Sequence, residues 1–403
     1  MLHLALRNTL RYGRRSIGAL AAIAFGTAAL MLADGFIDWM LVNLREHLIH
    51  SRFGHIEVSR RGFFAEGTAD PYRYVFDPAT PALAGLVSMP GVHIAAPRLY
   101  FSGLVSAGET TLSFTGEGVS PRVEGELEGG ITIRSGRMLA PNDHDGVLVG
   151  QGLAQSLHVE PGSKIVLLAT LRNGGVNAVD ATVRGTFSSV AKAYDDNVVK
   201  VPIALAQQLM KVHGVHALVI LLDKTEDTER TIAAMRPIAD QAGLELVPWT
   251  ARADFYHKTQ LLFSKQMAVL RAIIGLIVVL SVSNTMIMTI FERTWEIGTM
   301  RALGQPRIRI VAQFLEEAML LGIVGGVAGV VLACVATVVI SWVGIPMPPP
   351  PGMSEGFIGR VLLTPVSTLE AALLALLTAT AAAVYPAWRA GRIPIVDALR
   401  HHH

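Results

Sequence analysis

Apolar residues along this chain fall into two patterns. Four runs are long and nearly unbroken: Ile17 to Ala33, Met267 to Phe291, Ala318 to Ile345, and Val366 to Val384. About 20 apolar residues suffice to cross the hydrocarbon layer of a bilayer, so each run predicts a membrane-spanning helix. The first continues with helical spacing through Phe36, Met40, Leu44 and Leu48. That continuation speaks against a cleaved leader, despite the Arg-rich start at Arg7, Arg11, Arg14 and Arg15.

Between the first two runs the pattern changes to short segments bounded by Gly, Pro, Asn and Asp. "GHIEVSRRGF" reads as a strand, and "TPALAGLVSMPGVHIAAPRL" as a helix leading into a strand. Near the other end, "VHALVILLD", "TEDTERTIAAMRPIADQAG" and "LELVPW" read as strand, helix and strand, with Thr225 placed to cap the helix and Gly243 to end it. The middle, about 118–200, has short alternating runs such as "GVLVG", "SKIVLLA" and "ATVRGTF", which predict a β-rich insertion in an α/β frame. The fold class expected is an α-helical membrane protein with four transmembrane helices. A large extracytoplasmic α+β domain lies between the first and second.

The expected boundaries follow the pattern. They are an N-terminal segment (1–16), the first span and stalk (17–45), the extracytoplasmic domain (46–262) and a second stalk and span (263–291). A charged insert (292–309), a third span (310–345), a Pro-rich loop (346–363), a fourth span (364–388) and a tail (389–403) complete the chain. Basic residues set the orientation. Arginines crowd the N-terminal segment, the insert (Arg293, Arg301, Arg307, Arg309) and the tail (Arg389, Arg392, Arg400), whereas the loop between spans three and four carries only Arg360. Both termini and the insert are therefore expected in the cytoplasm, and the large domain outside.

Composition agrees with a membrane protein. Only 16% of the 403 residues are charged against 51% hydrophobic, and the mean hydropathy is +0.44; soluble domains are nearer a quarter charged. A net charge of +2 gives no basic patch for nucleic acid. The single cysteine, Cys334, lies in an apolar run and excludes an internal disulfide or a thiol pair. "HGVH" (His213, His216) has chelating spacing but no cysteine or carboxylate beside it, and reads as a strand start. "NDHD" at 142–145 lacks the Gly and Glu of a calcium loop. No Walker A, G-x-S-x-G or H-E-x-x-H pattern occurs. No catalytic residue, metal or bound cofactor is expected on this chain.

The insert "ERTWEIGTMRALGQPRIRI" has room for about three helical turns. Arg293, Ile297 and Arg301 share one stripe, Glu296 and Met300 the next. Gly304 is placed to stop the helix in a left-handed turn, and Pro306 to start the next. Inside the spans, Gly322 with Gly326, Gly325 with Gly329, and Ala371, Ala375, Ala379 and Ala383 form small-residue stripes suited to close helix contact, partly within the chain and partly at a dimer seam. Asp34 and Asp38, near the outer end of span one, and Arg271, near that of span two, can pair across the stalks or sit separately at the interface. Asn284, deep in span two, is expected to bond to a neighbouring helix. Phe36, Met40, Leu44 and Leu48 form one apolar face and Leu262, Phe263, Met267 and Leu270 another; the two can line a cavity or simply pack.

Several of these segments carry a resemblance. "ERTWEIGTMRALG" with "FLEEAML", "YPAWRAGRIPIVDALR", and "SGRMLAPNDHDGVLVGQGLAQSLHVEPGSKIVL" resemble segments of the MacB/FtsX/LolC–LolE superfamily of ABC transporter permeases, as does the order of one span, a large outside domain and three spans. The resemblance implies a permease subunit, not an enzyme, working by mechanotransmission from a bacterial inner membrane with its large domain in the periplasm. ATP and magnesium would bind a separate cytoplasmic ATPase dimer. Arg293, Glu296, Ile297, Met300 and Arg301 would couple to that ATPase. A second permease chain is implied, with a homodimer preferred. The length and layout are nearest the lipoprotein-releasing type, which suggests a lipoprotein or lipid cargo, a membrane-lipid environment and a periplasmic carrier or adaptor. The alternatives are MacB-like efflux of hydrophobic small molecules or peptides, and FtsX-like signalling to a cell-wall hydrolase.

Overall fold

The computed structural model describes residues 13–67, 70–127, 131–349, 353 and 356–395. Most of the segment 1–16, the centre of the Pro-rich loop and the tail from 396 onward lie outside the described residues. The chain divides into two compact units, one of spans and one formed mainly by residues 42–258.

The first span is α1 (Gly13–Leu48), an unbroken helix of 36 residues. It passes through a short π-helical turn, Ile49–Phe53, and stops at Gly54, whose φ of 59° no β-carbon would tolerate beside Val219 and the Ile220 carbonyl.

The outside domain is built on one ten-stranded mixed sheet. Its strands are β1 (Ile56–Arg60), β2 (Val92–Ala107), β3 (Thr110–Val119), β4 (Ile131–Gly136), β5 (Gly146–Gly150), β6 (Lys164–Thr170), β7 (Val176–Ser189), β8 (Val198–Pro202), β9 (Ala217–Leu222) and β10 (Leu244–Pro248). The order is β10-β1-β9-β2-β3-β8-β5-β7-β4, with β6 bridging β2 and β7. Strand β2 is 16 residues long and joins the two halves: its start pairs with β9 and its end with β3 and β6. The parallel pairings, β3 with β8 and β5 with β7, lie in the inserted half.

Helices α2 (Pro81–Val87), α3 (Pro121–Leu127), α4 (Gln151–Leu157), α5 (Ile203–Met210) and α6 (Thr228–Gln241) cover the sheet. "ALVILL" in β9 is buried at every position because both faces are covered. Leu218, Ile220 and Leu222 pack with Leu83, Leu86 and Met235 of α2 and α6. Val219 and Leu221 point the other way, onto Leu44, Leu48, Phe53 and Trp249. The inserted half has its own core, including Leu99, Val149, Leu167, Leu205 and Leu209. Gly243, at φ 67°, ends α6 as its position suggests. Thr225 does not cap that helix: its hydroxyl is engaged with Glu46 and His55.

The remaining spans are α7 (Asp254–Glu292), α9 (Arg307–Val343) and α10 (Pro365–Gly391), with the short α8 (Thr294–Ala302) between α7 and α9. Helix α10 begins on a reciprocal capping box between Thr364 and Ser367. The two glycine stripes of α9 serve two different neighbours. A β-carbon on Gly322 would lie 3.1 Å from Ala379 Cβ of α10, and one on Gly326 3.6 Å from Ala375 Cβ. On the other side, β-carbons on Gly325 and Gly329 would strike Ile23 at 2.8 Å and Thr27 at 2.6 Å, both of α1. Both stripes are therefore consumed in packing within the chain, where small residues let backbones approach without a hydrophobic driving force. The Ser283 hydroxyl donates to the Ala382 carbonyl at 2.8 Å and ties α7 to α10. Asn284 departs from expectation: it faces outward from the bundle with no partner among the described residues.

Candidate functional site at the inner end of the span bundle

Helix α8 is short because the sequence brackets it. Arg293 breaks from helical geometry at φ −104°, ψ 14°, Gly304 adopts φ 90°, and Pro306 fixes the extended entry to α9. The Gly304 and Gln305 amides donate to the Arg301 and Met300 carbonyls, closing the last turn.

The inward side of α8 is occupied by its own chain. Ile297 is 1% exposed and packs in the core formed by Ile290, Ile310, Phe314 and Ala390. Arg293 is buried as well. Its guanidinium donates to Glu317 Oε1 at 2.8 Å and to Glu296 Oε2 at 3.0 Å, and lies 5.5 Å from the Phe314 ring centroid. Arg293 and Ile297 thus cannot enter a groove on another protein while this arrangement stands, a correction to their expected role. They are an internal strut locking α8 to the start of α9. Glu317 completes that strut; from sequence it reads as facing either the headgroups or the charged insert, and it takes the second course.

The outward side is different. Trp295 and Glu296 are exposed on α8, Leu303 is 82% exposed at its end, and Ile308 is 73% exposed at the first turn of α9. Met300 and Arg301 are intermediate between the two sides. The exposed surface here is therefore apolar knobs around a glutamate, shifted toward the Leu303–Ile308 turn.

At the opposite end of the spans, Arg271 of α7 donates to both carboxylate oxygens of Asp34 of α1, at 3.0 and 3.1 Å, and lies 3.9 Å from Glu370 of α10. Three helices meet at one arginine, and the participation of Glu370 is absent from the linear pattern. Nearby, Met40 and Met267 are each 7% exposed, Phe36, Phe263 and Leu270 are half-buried, and Leu262 is exposed. Leu44 and Leu48 are withdrawn from the candidate cavity wall, because both are taken up in the core of the outside domain.

The outside domain holds a buried ionic cluster. Arg98 of β2 makes a two-pronged pair with Glu124 of α3, and Lys200 of β8 reaches the same carboxylate at 2.9 Å. Tyr194 donates to Glu117 at 2.8 Å, and Tyr100 and Arg252 both bond to Glu57. Burial would raise the Glu124 carboxyl, but the two cations beside it hold it well below the usual range.

Two buried histidines have structural partners. His216 of "HGVH" is fully buried, accepts from the Tyr100 amide and bonds the Pro71 carbonyl at 2.8 Å. His55 accepts from the Leu222 amide. Burial lowers both rings to about 4. A depressed histidine contributes stability above its unfolded value near 6.5, and that stability is lost as pH falls toward about 4. Loss on the order of 2–3 kcal/mol per ring is expected between neutral pH and about pH 4. Circular dichroism of the outside domain in the full chain should show its melting temperature falling across that window, and His216→Gln should flatten the fall.

Comparison with known proteins agrees with this architecture. Residues 16–238 match the model of the MacB-like periplasmic core domain, and residues 268–395 that of the FtsX-like permease C-terminal region. The chain is 24% identical to the lipoprotein-releasing system transmembrane protein LolC of Xylella fastidiosa, over 96% of this chain and 94% of that protein. It is 25% identical to an uncharacterized ABC transporter permease of Methanocaldococcus jannaschii over 53% of each chain, so it spans about half the length of that relative. The periplasmic region of MacB from Actinobacillus actinomycetemcomitans, 11% identical, covers 52% of this chain and 95% of its own with a TM-score of 0.36. With more than half its length in one family model and most of the remainder in the second, the chain belongs to the MacB/FtsX/LolC superfamily of ABC transporter permeases, as a multi-pass membrane subunit with a large extracytoplasmic domain.

Proposed function

We propose that this permease extracts an amphiphilic envelope molecule, a lipoprotein or lipid, from the outer face of a bacterial inner membrane, driven by a separate cytoplasmic ATPase. One observation carries the reading. Helices α1 and α7, of 36 and 39 residues, are each about 54–58 Å long, against about 30 Å of hydrocarbon. Each leaves roughly 25 Å of continuous helix beyond the membrane. A rigid helix of that length carries a displacement from its inner end to its outer end. The near full-length likeness to a lipoprotein-releasing protein supports the choice of cargo.

The apolar side chains of the stalks, Phe36, Met40, Leu262, Phe263, Met267 and Leu270, are the proposed cargo contacts, suited to acyl chains. A second copy of this chain is proposed to pack along the outer face of α7, where Leu276, Leu280 and the outward Asn284 lie on one side. An amide in hydrocarbon gains a partner there.

The test places a carboxylate in the proposed contact. Met40→Asp and Met267→Asp should each block release of a lipoprotein from spheroplasts while assembly and ATP binding persist, because an unpaired buried carboxylate costs at least several kcal/mol. Normal release by both variants removes the cavity. Release of hydrophobic small molecules in place of lipoprotein would shift the reading to efflux, and activation of a cell-wall hydrolase without cargo would shift it to signalling.

A further inference from the structure

The inner ends of α7 and α10 enclose a cavity of about 210 Å³ that the coupling argument leaves unused. Ile287, Ile290 and Phe291 of α7 form one wall, and Pro386 of α10 and Ile393 beyond it form the other. Arg389, in the last turn of α10, is the charged residue of the lining. The cavity lies at one end of the spans, where α7 stops at Glu292 and α10 at Gly391.

The arrangement is graded along the helix axis. Ile287 and Pro386 lie a turn or so deeper than Phe291 and Arg389, at 1.5 Å per residue. Tyr385 and Trp388 stack on the exposed side of α10, and the Arg392 guanidinium lies 3.9 Å from the Trp388 ring centroid. Aromatic rings of this kind mark the headgroup level of a bilayer. Arg389 and Arg392 have no acidic partner among the described residues, unlike Arg271, which is paired with Asp34, and Arg293, which is paired with Glu317. An apolar slot at acyl depth beneath two guanidinium groups with no acidic partner among the described residues calls for an amphiphile with an anionic head and a hydrocarbon tail.

We infer that this cavity is a binding site for an anionic phospholipid of the cytoplasmic leaflet, its acyl chain between α7 and α10 and its phosphate on Arg389 and Arg392. The leaflet supplies such lipids in excess, and basic pockets between spans on this side favour them. A lipid held there would brace α7 against α10 next to the strut that carries α8. The inference needs only the membrane orientation, and holds whichever cargo the outer side handles.

The experiment uses the full chain in nanodiscs of phosphatidylcholine with a minor share of phosphatidylglycerol. Retained lipid is measured by native mass spectrometry, and a photoactivatable phosphatidylglycerol maps its position. Wild type should retain phosphatidylglycerol selectively and be labelled around Ile287 and Phe291. Arg389→Gln should lower that retention roughly fivefold, the effect of one basic side chain on an anionic headgroup, while Arg389→Lys keeps most of it. Ile287→Trp, which fills the slot, should abolish labelling with both arginines in place. Melting in pure phosphatidylcholine discs reports whether each variant is folded; if Arg389→Gln is not, Ile287→Trp and the wild-type label decide. Equal retention of the two lipids, labelling elsewhere, or retention unchanged in folded Arg389→Gln overturns the site. Displacement of the lipid by inorganic phosphate also overturns it, since a phosphate site is then sufficient. So does a label lost when a second copy of the chain or an ATPase binds, since that partner is then the occupant.

Discussion

Glu124→Ala is expected to unfold the outside domain. The carboxylate is 2% exposed and is shared by Arg98 and Lys200, themselves 2% and 0% exposed. Removing it takes the shared carboxylate from two cations in a low-dielectric interior, with Glu117 left as the remaining nearby negative charge on Arg98. Breaking a buried pair by deleting one member typically costs about 3–5 kcal/mol, and here one deletion strips two partners. Against a total stability of about 5–15 kcal/mol, that is most of the margin. The damage is spread across the sheet, because Arg98 belongs to β2, the strand common to both halves, and Lys200 to β8. Glu124→Gln, which keeps two acceptor lone pairs but loses the charge, should fall between the two. Proteolysis of the domain in the intact protein would show the ranking: wild type resistant, glutamine intermediate, alanine cut. Equal resistance of the alanine variant would mean that water or rearranged neighbours reach these cations.

Arg293→Ala should be the most damaging single change on the cytoplasmic side. It removes the donor to Glu317 and Glu296 together, taking the Arg293 guanidinium away from a carboxylate that is only 5% exposed. A loss on the order of 3–5 kcal/mol is expected at the α8–α9 junction. The double variant Arg293→Met with Glu317→Leu separates charge from packing. Replacing a buried ion pair by apolar residues of similar volume is often neutral or stabilising, so the double variant should recover most of the melting temperature lost by either single one. If recovered stability comes with lost ATP-driven function, the ion pair is part of a moving joint. If function recovers too, the pair is a strut alone.

The spans were legible because nothing in a soluble fold needs 20 unbroken apolar residues, and the strand–helix–strand units of the outside domain because short apolar runs and the stop at Gly243 are local, whereas Thr225 is drawn off the helix start by Glu46 and His55. Gly304 and Pro306 bracket α8 for the same reason: backbone conformation is written in the residue itself. What the linear pattern hides is which side of an amphipathic helix its own chain covers. Arg293, Ile297 and Arg301 lie on one stripe, and nothing local says that Ile310 and Phe314 will bury Ile297 or that Glu317 will capture Arg293. Leu44 and Leu48 look like stalk positions by spacing, yet the domain core closes over them, since β9 needs apolar cover on its second face. The ionic cluster was invisible for the same reason. Arg98, Glu124 and Lys200 are separated by 26 and 76 residues, and only the sheet brings them together.

The most direct test of the account addresses the transfer of ATP energy through the α8–α9 turn. The hypothesis is that Leu303 and Ile308 fill apolar recesses on the ATPase while the Arg293 strut keeps the turn rigid. Both side chains are largely exposed, so Leu303→Asp and Ile308→Asp should leave the permease folded. Burying one such side chain is worth roughly 1.5–3 kcal/mol, so each change should weaken ATPase association at least tenfold. The measurement is co-elution of the purified permease with the ATPase of its system, together with ATP-dependent cargo release. The account predicts that Leu303→Asp loses both while melting at the wild-type temperature. Normal co-elution and release by a folded Leu303→Asp, Ile308→Asp double variant would contradict it and place the coupling surface elsewhere on the chain.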